Sequence, residues 1–109
     1  MIYQQIEERT KLGQRLEKEA IALTIQGRWE EAVAVNKHII EKFPTNIGAY
    51  NRLGRALAEL GEFAQAKETY SKALELAPNN VIAAKNLARL ASLSELEATS
   101  GSEHHKVAP

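Results

Sequence analysis

Apolar residues recur every three or four positions along most of the chain, and no segment alternates apolar and polar residues over the length of a strand. This spacing is typical of amphipathic helices. Glycine and proline interrupt it at a few places, where we expect helices to end. The pattern predicts an all-α protein with helices at about 2–26, 29–42, 46–60, 63–76 and 80–97.

The first predicted helix is longer than the others. Ile2, Ile6 and Leu12 continue one helical spacing, and residues 2–12 contain neither proline nor glycine. Gly13 lies inside the helix, at a cost of about 1 kcal/mol relative to alanine. One continuous helix, with residues 1–12 as an N-terminal helical extension, is our preferred interpretation. The alternative is that residues 2–12 form a separate short helix that caps the start of the fold.

The same features recur after 34 residues. The pairs at this offset are Gly27 and Gly61, Trp29 and Phe63, Ala32 and Ala66, and Pro44 and Pro78. Each pair has a structural reason. Glycine ends a first helix with a positive φ, and proline ends the second helix because it lacks an N–H group. The aromatic residue covers the turn between them, and alanine allows two helices to approach closely. The offset therefore indicates a repeat of two helices per unit.

These residues resemble the tetratricopeptide repeat (TPR) family, whose unit is 34 residues long. The second unit, residues 47–80, carries the family's characteristic residues at Tyr50, Leu53, Gly54, Leu57, Ala66, Tyr70, Ala73 and Pro78. The first unit, residues 13–46, is imperfect, since Glu19 replaces the usual Leu and Asn36 the usual aromatic residue. The resemblance implies a short right-handed α-solenoid of helix-turn-helix repeats, with residues 81–97 as a closing helix.

The resemblance also implies a protein-interaction module, because the first helices of successive TPR units line a concave groove that holds a peptide of a partner protein. The positions that match this groove are Glu17, Ile21, Thr24, Asn51, Arg55, Ala58, Lys85, Arg89 and Ser92. Four of them, Asn51, Arg55, Lys85 and Arg89, form a basic cluster that could clamp an acidic group of a ligand.

We expect an apolar side chain of such a ligand to lie near Ile21. Carboxylate-clamp members of the family have Lys and Asn where this chain has Glu17 and Ile21, so the resemblance does not extend to recognition of chaperone tails. The alternative interpretation of the whole face is a solvated helix surface without a ligand.

The closing helix has more apolar residues than one buried face needs. Helical spacing places Ala84, Leu87, Ala88 and Ala91 toward the repeats. The apolar residues that fall outside this face are Ile82, Leu90, Leu93 and Leu96. They predict an association surface for a second copy or for another domain. Partial burial under neighbouring segments is the alternative.

Composition narrows the class of function. The 109 residues include 14 basic and 14 acidic residues and no cysteine. The balanced charge disfavours nucleic-acid binding, and no stretch is apolar over the length that crosses a bilayer. No phosphate-binding loop, metal-ligand spacing or activated nucleophile is present, so we predict no enzyme activity, metal or cofactor. The start of the chain lacks a signal-peptide pattern, which favours a cytoplasmic location.

Beyond the helices, residues 98–109 are predicted to be a disordered tail or linker, because Ser, Gly, His and Lys dominate there. His104 and His105 are adjacent in this tail and make a poor metal site. Three functions remain. Peptide binding in the groove comes first, self-association through the closing helix second, and nucleic-acid contact through the basic cluster last.

Overall fold

A computed structural model describes residues 1–93, and these residues form five helices packed in sequence as helix-turn-helix repeats. Their bounds are α1 Ile2–Ile25, α2 Trp29–Lys42, α3 Ile47–Glu59, α4 Phe63–Leu76 and α5 from residue 81 to the end of the described residues at 93. Successive helices pack on one another, and α1 also contacts α3. The predicted all-α class is confirmed, and the predicted bounds of α1 to α4 agree to within one residue.

The turns inside each repeat are closed by glycine. Gly27 and Gly61 have φ of 69° and 80°, and no other residue among 1–93 has a positive φ. The amide after each glycine reaches back to the last turn of the helix. Arg28 N donates to the Leu23 carbonyl at 3.0 Å, and Glu62 N donates to the Leu57 carbonyl at 2.8 Å. These bonds satisfy carbonyls that a helix end otherwise leaves unpaired.

The turns between repeats use an asparagine as the N-cap. Asn46 Oδ1 accepts from Ala49 N at 3.0 Å, and Asn80 Oδ1 accepts from Ala83 N at 3.2 Å. Both bonds satisfy a free amide in the first turn of the next helix, and they stand at the same position of successive repeats.

Helix α1 is one continuous helix of 24 residues, as the preferred interpretation predicted. Gly13 lies inside it because the ring of Phe43 packs there, and a Cβ on Gly13 would lie 3.2 Å from Phe43 Cζ. One helical turn earlier, the guanidinium carbon of Arg9 lies over the same ring, 4.6 Å from its centroid. Its Nη2 donates to the Lys42 carbonyl at the end of α2, at 2.7 Å. The long α1 is thus held against the loop that joins α2 to α3.

The contact between α3 and α4 is closest at Gly54. The Tyr70 ring lies flat against it, and a Cβ on Gly54 would come within 2.7 Å of Tyr70 Cζ. Tyr70 is 1% exposed and belongs to the core cluster with Leu53, Leu57 and Leu90. Only a residue without a side chain allows the aromatic ring to pack this closely on the helix.

In the first repeat, Ala20 and Asn36 occupy the positions of Gly54 and Tyr70. Both are fully buried. The smaller asparagine leaves room for a Cβ, which explains why Ala20 is accepted where the second repeat has glycine. It also places a polar amide in the core, and this amide must be hydrogen-bonded.

The buried face of α5 differs from the prediction. Ala83 and Leu90 are the buried residues, and Leu87 is half-buried, whereas residues 84, 88 and 91 are exposed. In α3 the corresponding positions pack on the helix that follows, as Gly54 does on Tyr70 of α4. No helix follows α5 among residues 1–93, so its small residues remain open to solvent.

Leu90 was therefore wrongly predicted as part of an outward association surface, because it is a core residue at 1% exposure. Ile82 and Leu93 are exposed at 57% and 38%. Leu96, the last turn of the predicted closing helix and the predicted tail lie outside the described residues.

The close contact of Gly54 with Tyr70 can be tested by a double-mutant cycle. We expect Gly54→Ala to destabilise the protein by about 1–3 kcal/mol, because the new methyl group must displace the ring or the helix. In a Tyr70→Asn background, which recreates the pair of the first repeat, the same change should be neutral or stabilising, since alanine favours helix over glycine.

The measurement is urea denaturation followed by circular dichroism at 222 nm. If Gly54→Ala lowers the free energy of unfolding equally in the two backgrounds, the Tyr70 ring is not the reason for glycine at this position.

Candidate peptide-binding groove

The residues predicted to line the groove lie on the alternate helices α1, α3 and α5. Arg55, Lys85 and Arg89 are exposed, and Ile21 is 43% exposed. An open depression runs along α1 and includes Glu17 and Ile21 in its lining. Thr24, at the end of this row, bonds its hydroxyl to the Ala20 carbonyl at 2.8 Å. That bond is internal to the helix, so Thr24 contributes little polarity to the surface.

Asn51 is engaged within the fold. Its amide pairs reciprocally with Asn80, with Asn80 Nδ2 donating to Asn51 Oδ1 at 3.0 Å and Asn51 Nδ2 donating to Asn80 Oδ1 at 3.4 Å. Because Asn80 also caps α5, this pair ties the middle of α3 to the start of α5. The main role of Asn51 in this arrangement is to hold the two helices in register.

Arg55 is held in position by Trp29. Its guanidinium carbon lies 5.3 Å from the centroid of the indole ring. This cation–π contact restricts a long flexible side chain without neutralising its charge. Trp29 is the only tryptophan of the chain, so its fluorescence reports on the surroundings of Arg55.

Arg89 and Arg55 both act on the phenol of Tyr70. Burial raises the pKa of Tyr70 above its ordinary value of 10.0, and the positive charges of Arg89 and Arg55 partly offset this effect. Glu59 raises the pKa further. The Tyr70 ring, which packs on Gly54 below the surface, thus lies in the field of the two arginines that α3 and α5 present.

A polar network links α1, α2 and α3 in the first repeat. Asn36 Nδ2 donates to the Ala32 carbonyl at 2.8 Å, and Arg52 Nε donates to Asn36 Oδ1 at 2.9 Å. Arg52 Nη2 then reaches Glu17 Oε1 at 3.3 Å. The network satisfies the buried amide of Asn36 and sets an arginine between α1 and α3.

Sequence reasoning missed Arg52 as a residue of this surface. The available signal was Asn36, a polar residue at a position where the family has an aromatic side chain. A buried amide requires a partner, but only the structure shows that Arg52 provides it.

The cations in the two halves of the groove differ in whether they form a salt bridge. The salt bridges within residues 1–93 include Arg28–Glu31, Arg52–Glu17 and Lys72–Glu68. Arg52 on the α1 side therefore has a carboxylate of its own chain, whereas Arg55, Lys85 and Arg89 have none among the described residues. Arg55 on α3 and Lys85 and Arg89 on α5 therefore keep their positive charge available to a ligand, and Lys11, Arg15 and Lys18 line the depression along α1.

The described residues offer no group of three or more His, Asp or Glu side chains that could hold a metal ion. None of the described helices is long and apolar enough to cross a membrane. His104 and His105 lie outside the described part of the chain.

Comparison with known proteins identifies the family of the repeat. The tetratricopeptide repeat pattern matches residues 23–92, more than half of the chain. The chain belongs to the tetratricopeptide repeat family. This family consists of scaffolds that are typically non-catalytic, and the chain is a TPR protein-interaction module.

One relative is the small glutamine-rich tetratricopeptide repeat-containing protein 2 of Mycosarcoma maydis. It is 35% identical over 83 residues, which cover 76% of this TPR chain and 23% of the relative. The chain thus corresponds to about a quarter of that protein. Among solved structures, the first TPR of Spaghetti (RPAP3) bound to the HSP90 peptide SRMEEVD has 20% identity and a TM-score of 0.44, and the match covers 76% of this chain and 93% of that one.

The burial of Tyr70 can be tested by alkaline denaturation. A raised pKa in the folded state means that folding favours the neutral phenol. This contribution to stability is complete below the ordinary pKa of 10.0 and is lost as the pH rises through the raised pKa. We therefore expect the protein to lose stability as the pH rises above about 10, and Tyr70→Phe to lose less.

The measurement is the urea midpoint at each pH, with Tyr3→Phe as the control because Tyr3 is 84% exposed. If Tyr70→Phe and Tyr3→Phe follow the same pH dependence, burial of Tyr70 does not govern the alkaline loss.

Proposed function

We propose that this TPR module binds a peptide segment of a partner protein along α1, α3 and α5, and that an acidic group of the segment is held by Arg55 and Arg89. Lys85 supplies further positive charge beside them. The observation that carries the proposal is the set of three exposed cations that lack a carboxylate partner among residues 1–93.

Preorganisation supports a binding role for Arg55. A free arginine side chain loses rotamer entropy when it engages a ligand, but the indole of Trp29 already restricts this one. The exposed guanidinium keeps donors for a carboxylate, and charge-assisted bonds of this kind are stronger than neutral ones. Arg89, near the same Tyr70 phenol, supplies a second donor group.

Apolar residues flank the cations. Ile82 and Leu93 lie seven residues before and four residues after Arg89, so all three share one side of α5. Ile21 is exposed on α1. A partner segment that combines an acidic residue with apolar residues on either side fits this surface better than a uniformly acidic one.

The groove can be tested by peptide selection. The full chain is immobilised, a synthetic pool of random decapeptides is passed over it, and the retained peptides are sequenced by mass spectrometry. We expect enrichment of Asp and Glu. The Arg55→Glu, Arg89→Glu double variant should bind the selected peptides at least about tenfold more weakly, because two charge-assisted contacts become repulsive.

The matched control is Lys37→Glu with Lys42→Glu, which makes the same change of net charge at exposed residues of α2 that have no salt bridge within residues 1–93. Equal retention by the groove variant and the parent would rule out this site. A dimer in light scattering that Leu93→Asp dissociates would instead assign the α5 face to self-association.

A further inference from the structure

The pair of Glu17 and Arg52 lies in the wall of the groove, and its two members are very differently held. The Arg52 side chain is 15% exposed and is fixed by its bond to the fully buried Asn36. The Glu17 side chain is 42% exposed, and its single bond to Arg52 is long, at 3.3 Å. The arginine is thus part of the fold, while the carboxylate can leave.

Gly48 shows how closely the pair lies on α3. A Cβ at this residue would meet Arg52 Nη1 at 3.0 Å and Glu17 Oε1 at 3.6 Å. The guanidinium therefore lies along the surface of α3, and the edge that carries Nη2 faces α1. Glu17 Oε1 occupies that edge.

A fixed, mostly desolvated guanidinium is a strong binding group for any carboxylate, because little entropy remains to be lost. Here the carboxylate comes from the same chain. An attached competitor acts at an effective concentration in the millimolar range or above, so a carboxylate of a ligand must displace it to reach Arg52.

We propose that Glu17 is a specificity-determining residue of the groove, because its carboxylate occupies the anion position of Arg52 and keeps acidic groups of a ligand from binding there. This inference rests on the proposed peptide-binding function and specifies it further. With Arg52 occupied, acidic residues of a ligand that enter between α1 and α3 do not gain this buried guanidinium, whereas Arg55 and Arg89 remain open to them.

The first test uses fluorescein-labelled hexaglutamate as the probe and fluorescence anisotropy as the readout. Glu17→Ala removes the competitor, and Glu17→Gln removes its charge while it preserves its shape. The matched control is Glu19→Gln, which makes the same charge change at an exposed residue of α1 that has no salt bridge within residues 1–93.

We expect Glu17→Ala to bind the probe roughly threefold to tenfold more tightly than Glu19→Gln, as one partly exposed ionic contact allows. Glu17→Gln should lie between the two. Equal affinities of the Glu17 and Glu19 variants would overturn the proposal, since the gain would then follow net charge alone. Circular dichroism melts of each variant verify that the fold is retained.

The second test observes the arginines directly, through the Nε–H signals in a ¹⁵N correlation spectrum. The Arg52 signal is assigned by its loss in Arg52→Lys. In the parent protein the probe should shift the Arg55 and Arg89 signals and leave that of Arg52 unchanged, whereas in Glu17→Ala all three should shift. A shift of Arg52 in the parent, or none in Glu17→Ala, would overturn the proposal.

The two proposals fail in different ways. If the Arg55 and Arg89 signals do not respond in any variant, the proposed binding of acidic groups at α3 and α5 is wrong. The response of Arg52 in Glu17→Ala still decides whether Glu17 blocks an anion site.

Discussion

In each repeat, one side chain of the second helix packs on the first helix. This contact determines most of the differences between the two halves of the protein. In the second repeat the side chain is Tyr70, which lies flat on Gly54 and fills the space between α3 and α4. In the first repeat it is Asn36, opposite Ala20. The helices pair in the same way in both repeats, but an aromatic ring and an amide impose different requirements on their neighbours.

The amide requires hydrogen-bond partners, because a buried polar group without them costs about 1–3 kcal/mol. Asn36 donates to the Ala32 carbonyl and accepts from Arg52 Nε, and Arg52 Nη2 donates to Glu17. One polar substitution in the core thus organises a chain of contacts that ends at the surface of the groove. A buried network of this kind specifies geometry more than it adds stability, because each of its groups was well hydrated in the unfolded chain.

The aromatic ring has the opposite consequence. Tyr70 fills the space between α3 and α4 without a charged partner, and the nearby Arg55 and Arg89 have no carboxylate among residues 1–93. Their charges carry no desolvation cost, since both side chains are exposed. The chain has balanced net charge, but the two arginines of α3 differ in their ion pairing. Arg52 is paired with Glu17 of α1, whereas Arg55, together with Lys85 and Arg89 on α5, has no carboxylate among residues 1–93, which is why we place the binding of an acidic group in the C-terminal half.

The sequence by itself determined the helices, the repeat and the family, because glycine and proline end helices through local backbone geometry and a 34-residue offset is visible without any contact. It also placed Arg55, Lys85 and Arg89 on the exposed surface. Three features were decided only by tertiary structure. Leu90 is buried because it packs in the core cluster with Leu53, Leu57 and Tyr70. Asn51 is occupied by Asn80, and Arg52 by Asn36 and Glu17, through contacts between residues 16 to 35 positions apart. Helical periodicity shows which side of a helix a residue is on, but hydrogen bonds between helices depend on the distances that packing sets.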